Sequence, residues 1–479
     1  MQDIFSADFK IGIRCLKLST FCDFYSKIVS MKTHTFKGGI FPLEMKELTN
    51  KCPIKEAFPS SKTVTIPITM GGAPNTPLVK VGDSVAKGQK IASGEKFMSV
   101  PVHSSISGKV KKIQNFTVTG GMTAPCIVIE ADGSDNVEFM EPLDPFTCGK
   151  EKVLERIKEA GIVGMGGASF PAHVKLNPPE DKEIDYVLVN AAECEPYLTC
   201  DERTMIETPE KLIDGLAIIL NLVGAAGIIA LEDNKAYIKP SLEKIIVEKG
   251  YADDMRIMLV KTKYPQGSEK FIVSSCLGVE IPSGKLPADA GVIISNVGTV
   301  CAISDAFRLG KPLIERSLTI SGGAVENPCN LKVPVGTVIS DLSPEYFSLK
   351  ENSAVKIISG GPMMGFAMPD MNFPVAKGTS GITFLTKDET YLVDEEQCIG
   401  CGMCVSVCAM HLSPVLMVRE LKAENISNAK KLGLMDCIEC GCCAYACPAN
   451  VRLVQRFRIG KSIVREQIAA AKAKEAVKK

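Results

Sequence analysis

Along residues 150–300 apolar runs of helical and of extended period take turns. "KEKVLERIKEAG" places Val153, Ile157 and Ala160 on one side of a helix. "IDYVLVNAAE" is an apolar run of strand length that ends in acidic residues; "SLEKIIVEKG" is helical again and "GVIISNVGT" again a strand. This alternation predicts a parallel sheet with helices on its faces, and such sheets bind ligands beyond the carboxyl ends of their strands. "NAAECEP" and "SNVGT" are both strand exits. The stretch "LIDGLAIILNLVGAAGIIAL", Leu212 to Leu231, is long enough to span a membrane but carries Asp214, Asn221 and three glycines. It reads better as a helix to about Val223, a Gly-Ala turn and a short strand.

The flanking patterns differ. From Val64 to Glu130 short alternating runs lie between Gly-rich turns, as in "PLVKVGDSVAKGQKIA" and "VPVHSSISGKVKKI". This resembles the biotinyl/lipoyl-type flattened barrel. The tip reads "GEKFMS", with Lys96 displaced and no Met-Lys-Met, so a swinging-arm carrier is not expected. From Ser317 to Gly365 strands with Gly/Pro turns predict a small β-grasp (SLBB-like) module. The fold class is multidomain α/β. The expected division is an N-terminal extension over 1–30 without function, a barrel-sandwich domain over 31–140, an α/β domain over 141–312, the β-grasp module over 313–385, a cysteine-rich ferredoxin-like domain over 386–456 and a helical tail over 457–479.

Length and composition agree with several globular domains. The chain has 479 residues, 46% of them apolar and 23% charged. Lys+Arg and Asp+Glu balance at 55 each, so there is no basic field for nucleic acid, and with no Trp there is little aromatic stacking surface. The 19 cysteines change the picture. Ten are scattered, which indicates a reducing compartment. His34, His103, His173 and His411 fit no metal or acid–base pattern and read as structural.

Eight cysteines form two runs, "CIGCGMCVSVC" and "CIECGCCAYACP". Cys398, Cys401, Cys404 and Cys408 have the spacing C-x2-C-x2-C-x3-C, and so do Cys437, Cys440, Cys443 and Cys447. This is the run that wraps 4Fe–4S clusters, in which the fourth cysteine of each run ligates the other cluster. The expected ligand sets are therefore Cys398, Cys401, Cys404 and Cys447 for one cluster, and Cys437, Cys440, Cys443 and Cys408 for the second. Zinc takes four ligands from separated pairs and fits poorly. Pro448 follows the second run, Ala409 the first, and Cys442 falls outside the pattern.

One-electron centres need a donor. "GIVGMGGASFPAHVKL" packs four glycines into seven residues. It lacks a third fingerprint glycine, having Ser169 there, and follows a helix, so a dinucleotide fingerprint fails. A flat or phosphorylated ligand lying on bare amides, with Lys175 as a point charge, remains.

"GMGGASFPAHVKL", "NAAECEPYLTCDER", "YPQGSEK" and "SNVGT" resemble, in order and spacing, the FMN- and NADH-binding subunit of respiratory complex I and its hydrogenase relatives. With "FKGGIFP", the "PLVKVGDSVAKGQ" barrel, "GTSGI" and the cysteine runs, the chain from about Met31 is similar to the RnfC family, a component of the Rnf complexes, which are membrane-bound ferredoxin:NAD oxidoreductases. The resemblance implies a Rossmann-like flavin domain with FMN and nicotinamide against Gly164, Gly166 and Gly167, and Lys175 near the flavin. It places Asn190 and Glu193 at the flavin, Glu195 on the nicotinamide side, Gly267 and Glu269 in a cofactor loop, and Asn296 and Thr299 at the FMN phosphate end. Met165 and Ala192 depart from the complex I pattern, which has Arg and Asp there. The implied cofactors are FMN, NAD(H) and two 4Fe–4S clusters, with hydride passing directly between nicotinamide and flavin and no protein acid or base required. The implied partners are the membrane-embedded Rnf subunits and, through one of them, ferredoxin, at the cytoplasmic face of the membrane. A soluble relative, such as a cobalamin reductase or a reductase-associated electron-transfer protein, is the alternative, and a wire without flavin a third reading.

Overall fold

The structure is a computed structural model that describes residues 33–390 and 393–478. The expected extension over 1–30 lies outside the described residues. The α/β segment opens with helix α1 (Lys150–Glu159), which buries Val153 and Ile157, and Ala160 after it. There follow strand β1 (Tyr186–Ala191), helices α2 (Cys200–Glu207) and α3 (Pro209–Val223), strand β2 (Ala226–Glu232), helix α4 (Lys239–Glu248), strand β3 (Met255–Val260), helix α5 (Glu269–Leu277), strand β4 (Val292–Asn296) and helix α6 (Val297–Arg308).

The four strands are parallel in the order β3-β2-β1-β4. Their near-continuous apolar runs are explained by burial on both faces. Val187 and Val189 of β1 face the cluster that contains α3 and α6, while Leu188 faces the one that contains α5. The apolar 212–231 stretch is the inner face of α3, a left-handed cap at Gly224 (φ 70) and strand β2. β1 leads outward to β2 and β3, whereas β4 returns to its other side. The carboxyl ends of β1 and β4 therefore flank the point where strand order reverses, the natural crevice of an open α/β sheet.

Two antiparallel sheets build the N-terminal body, one joining Thr63–Pro67, Thr123–Ala131, Gly108–Thr117 and Ser84–Val85, the other Thr76–Pro77, Lys90–Ser93 and Val102–His103. Both face a core of Val64, Ile66, Ile91, Ile127 and Ile129. The third body is a six-stranded mixed sheet of Ile54–Glu56, Cys329–Pro334, Glu315–Ser321, Gly381–Leu385, Lys356–Ser359 and Phe366–Met368. Ile54–Glu56 thus pairs with Asn330–Lys332, 276 residues later, although it lies inside the range read as barrel. The last helix starts at Leu453, four residues before the expected tail over 457–479, because its first turns bury Leu453, Phe457 and Val464 against the cysteine-rich domain. No described helix is long and apolar enough to cross a membrane.

Candidate functional site: a glycine loop, two strand exits and two thiol sets

The glycine loop is a closed Ω-like excursion. Val163 and Pro171 pair across its neck, and the Gly164 amide donates to the Phe170 carbonyl at 2.8 Å. A Cβ at Gly166 would meet only Asn296, at 3.6 Å, and one at Gly167 (φ +134) nothing within 4 Å. Gly167 is accounted for by its backbone conformation, but neither packing nor conformation explains Gly166. Open amides beside a sheet crevice fit a flat cofactor lying against the backbone.

β4 sets Asn296 in register with Asn190 of β1, so the two strand exits carry neighbouring amide side chains. Asn190 donates to the Gly267 carbonyl at 2.7 Å. Asn296 caps α6, its oxygen accepting from the Gly298 amide at 2.9 Å, and donates to Asp201 at 2.6 Å. Thr299 accepts from the Met165 amide at 2.9 Å and so pins the loop to the first turn of α6. Lys175 and Glu269 pair with each other at 2.5 Å across the opening.

The acidic strand exit is turned by two left-handed residues, Glu193 (φ 49) and Tyr197 (φ 69). Glu193 accepts from the Asp201 and Glu202 amides at 2.7 and 3.2 Å and so sits on the N-terminus of α2, where a carboxylate is favoured. Glu195 is turned toward the Met363 and Met364 amides, at 3.1 and 2.8 Å; burial pushes it up to about 7 against those bonds. Glu193, Cys200 and Asp201 bring donor atoms within 4.8 Å of one another, but each is engaged: Cys200 donates to the Ser380 carbonyl and Asp201 accepts from Asn296.

Four residues that the sequence pattern did not single out organise this region. Buried Lys46 donates to the carbonyls of Glu193, Glu195 and Leu198 at 2.7, 3.1 and 2.5 Å. Buried Lys235 donates to the Ala192 carbonyl at 2.8 Å. Arg316, only 4% exposed, crosses from the mixed sheet; its guanidinium donates to the Met165 carbonyl at 3.3 Å, to the Met165 sulfur at 3.2 Å and to the Thr379 carbonyl at 2.7 Å. Lys377, 1% exposed, donates to the Pro101 and Gly161 carbonyls at 2.9 and 2.6 Å, and burial pushes it down to about 7. Each is separated from the carbonyls named here by more than 40 residues, so no local motif could reveal these contacts.

The buried carboxyls have a pH consequence. Glu232, 1% exposed, is pushed up to about 7 by desolvation, against the attraction of Lys235 and Lys46, and Asp201 to about 6 by burial and Glu193. A raised carboxyl holds its proton in the fold after the unfolded chain has lost it near 4.5, so stability falls as pH climbs from about 4.5 to 7. Glu315 and Glu395, held near 2 by lysine and arginine partners, contribute equally at both ends of that window. Lys377, held near 7 in the fold, works in the opposite sense above pH 7, because the fold releases its proton while the unfolded chain keeps it. Glu232→Gln is expected to remove about 2 kcal/mol of the carboxyls' loss of stability between pH 5.5 and pH 8, read in paired unfolding titrations of variant and wild type.

The thiols fall into two sets. The thiol neighbours of Cys404 are Cys447, Cys398 and Cys401. Those of Cys443 are Cys440, Cys437 and Cys408. Cys408, Cys437, Cys440 and Cys443 line one cavity with Met410, Leu412, Met417 and Phe457, a thiol-lined apolar space that fits an iron–sulfur cubane. Cys398 and Cys401 are exposed. Cys442, outside the ligand spacing, is buried, donates to the Tyr264 carbonyl and lines the same cavity beside Cys440. His103 and His173 are buried in the body of the protein, His173 against the Phe97 carbonyl.

The inner set touches the α/β domain. Tyr264 donates its hydroxyl to the Cys440 carbonyl at 2.8 Å, and Gly267, three residues on, receives Asn190. One short loop therefore joins the inner thiols to the strand exits.

Three family models match the chain: the Nuo51 FMN-binding domain over residues 157–305, the RnfC barrel sandwich hybrid domain over 34–134 and a 4Fe-4S dicluster domain over 397–451. The chain is 43% identical to the C subunit of the proton-translocating ferredoxin:NAD(+) oxidoreductase complex of Clostridium ljungdahlii, covering 89% of this chain and 93% of that one. It is 41% identical to the C subunit of the Na(+)-translocating ferredoxin:NAD(+) oxidoreductase complex of Acetobacterium woodii, covering 90% and 98%. A solved NAD+-reducing NiFe-hydrogenase in the H2-reduced state is 19% identical, with a TM-score of 0.47 over 66% of this chain and 63% of that one. The chain belongs to the RnfC family, the C subunits of the ion-translocating ferredoxin:NAD(+) oxidoreductase complexes known as Rnf complexes.

Proposed function

We propose that this chain is the nicotinamide-facing subunit of an Rnf-type complex, exchanging electrons between NAD(H), FMN and two 4Fe–4S clusters in ferredoxin:NAD oxidoreduction coupled to ion translocation. FMN, when bound, supplies the conversion between a hydride and single electrons. The residues do the rest. Gly164, Gly166 and Gly167 give the flavin a flat floor, Asn190, Asn296 and Thr299 frame it at the strand exits, and Lys175 with Glu269 borders the opening. Glu193 adds to the flavin side, and Glu195 shapes the nicotinamide side, on a backbone held by Lys46 and Lys235. Cys398, Cys401, Cys404 and Cys447 hold an outer cluster; Cys408, Cys437, Cys440 and Cys443 hold an inner one.

The observation that carries this reading is the loop from Tyr264 to Gly267, which is bonded at one end to Cys440 and at the other to Asn190. It supports an order of flavin, inner cluster, outer cluster, with the exposed Cys398 and Cys401 turned toward a partner protein. In this reading the chain is peripheral at the cytoplasmic face, attached through membrane-embedded subunits, and ferredoxin is reached through one of them. The domains follow as a barrel-sandwich over 31–140, the flavin domain over 141–312, an SLBB-like β-grasp module over 313–385, a two-cluster ferredoxin-like domain over 386–456 and a tail over 457–479.

The test is an anaerobic visible spectrum of the purified chain before and after NADH, with flavin and iron assayed on the same sample. Rapid bleaching with equimolar FMN and iron for two cubanes is expected. Iron without flavin and no response to NADH would reduce the chain to a relay.

A further inference from the structure

The segment "FKGGIFP" has no part in the flavin or thiol sets, yet it lies between them. His34 extends the edge of the parallel sheet, its amide donating to the Leu259 carbonyl at 2.9 Å and its carbonyl accepting from Lys261 at 2.8 Å. Phe36 stacks on Phe271 of α5 with ring centroids 4.5 Å apart, and the Lys263 ammonium lies 4.4 Å over the ring. Ala409, Met410 and Ile438 of the cysteine-rich domain pack in the same small cluster.

Gly38 and Gly39 then turn the chain with φ of +82° and +77°, which other residues adopt only with strain. A Cβ on Gly38 would stand 2.9 Å from the Cys408 carbonyl oxygen and from the Ala409 Cα, and one on Gly39 2.5 Å from the Tyr264 carbonyl oxygen. The Gly39 amide donates to the Val407 carbonyl at 2.9 Å, and Ile40 and Tyr264 exchange two backbone bonds of 2.9 Å. One turn is thus bonded on one side to the backbone next to an inner thiol, and on the other to the loop that carries Tyr264. Six residues past Ile40, Lys46 grips the acidic strand exit.

We propose that Phe36–Ile40 is a positioning strap that fixes the inner thiol set against the flavin-side loop and so sets the rate at which electrons cross between the two domains. The inference rests on the function proposed above. The electron pair of each NADH hydride ends as one electron on each cluster, reducing its iron, and the proton goes to solvent. The strap's contribution is distance, and small misplacements of a reacting pair are costly in rate.

The experiment compares the intact, cofactor-loaded chain with Gly38→Ala in anaerobic stopped flow, following flavin and cluster absorbance separately. FMN content, iron content and cluster midpoint potentials are measured on the same preparations. The strap predicts wild-type flavin bleaching, unchanged potentials and contents, and cluster reduction slowed about tenfold or more. Should Gly38→Ala not accumulate, Phe36→Leu loosens the same joint without backbone strain and is read identically. Cluster reduction at the wild-type rate in the variant overturns the strap, and so does a slowing fully matched by a shift in cluster potential. If NADH fails to bleach the wild-type flavin, the function reading falls instead. The strap is then still decided by supplying electrons through photoreduced flavin and reading the same cluster phase.

Discussion

Cys408→Ala is expected to empty the inner thiol set and leave the outer one filled, although Cys408 belongs in sequence to the first run. Its thiol neighbour is Cys440 of the second run, and it lines the cavity shared by Cys437, Cys440 and Cys443. The run of Cys398, Cys401 and Cys404 takes Cys447 as its fourth neighbour. The crossing follows from the short helices that carry each third cysteine: Met403–Ser406 and Cys442–Tyr445 lead the chain away from its own set before the fourth thiol is reached. The purified variant should retain about half the wild-type iron, keep the paramagnetic resonance of the outer cluster and lose that of the inner one. NADH should still bleach its flavin, while transfer onward to the outer cluster falls by more than about 100-fold, because the proposed order leaves no other route. Loss of the outer signal instead would show that each run serves its own cluster.

What could be read from the sequence was local. Ligand spacing, the density of glycines at 161–167 and the two strand exits are contiguous patterns, and the sheet register then sets Asn190 beside Asn296. What could not be read depends on contacts made across the chain. Ile54–Glu56 has no apolar alternation of its own and is a strand only because Cys329–Pro334 offers it an edge. Lys46, Lys235 and Lys377 look like surface lysines in sequence, and their burial is tolerated because each ammonium finds backbone carbonyls. Met165 marked a departure from the complex I loop, where an arginine stands; here a guanidinium reaches that place from Arg316, in another sheet. Gly298 accommodates it, since a Cβ there would stand 2.9 Å from the Arg316 guanidinium. The glycine of "SNVGT" is therefore accounted for by packing in this chain, unlike Gly166 in the loop above it.

That contrast makes Gly166→Ala the decisive substitution for the flavin reading. A glycine needed for packing loses stability when a methyl is added, whereas one kept open for a ligand loses the ligand. At Gly166 the added Cβ meets Asn296 at an ordinary 3.6 Å, and the backbone is outside the left-handed region. The denaturation midpoint of the flavin-free variant is therefore expected to match wild type, within about 0.5 kcal/mol. The methyl would stand on the floor against which the flavin is proposed to lie, beside Asn296 and above the Met165 amide held by Thr299. Flavin affinity is expected to fall by about 100-fold, or roughly 3 kcal/mol, read as loss of FMN on gel filtration and in fluorescence titrations of the apo-chain. Iron content and cluster spectra should not change, because the thiol sets lie on the far side of the Tyr264 loop. The opposite pattern, a destabilised chain that still binds FMN at wild-type affinity, would assign the glycines to the fold and move the flavin site elsewhere.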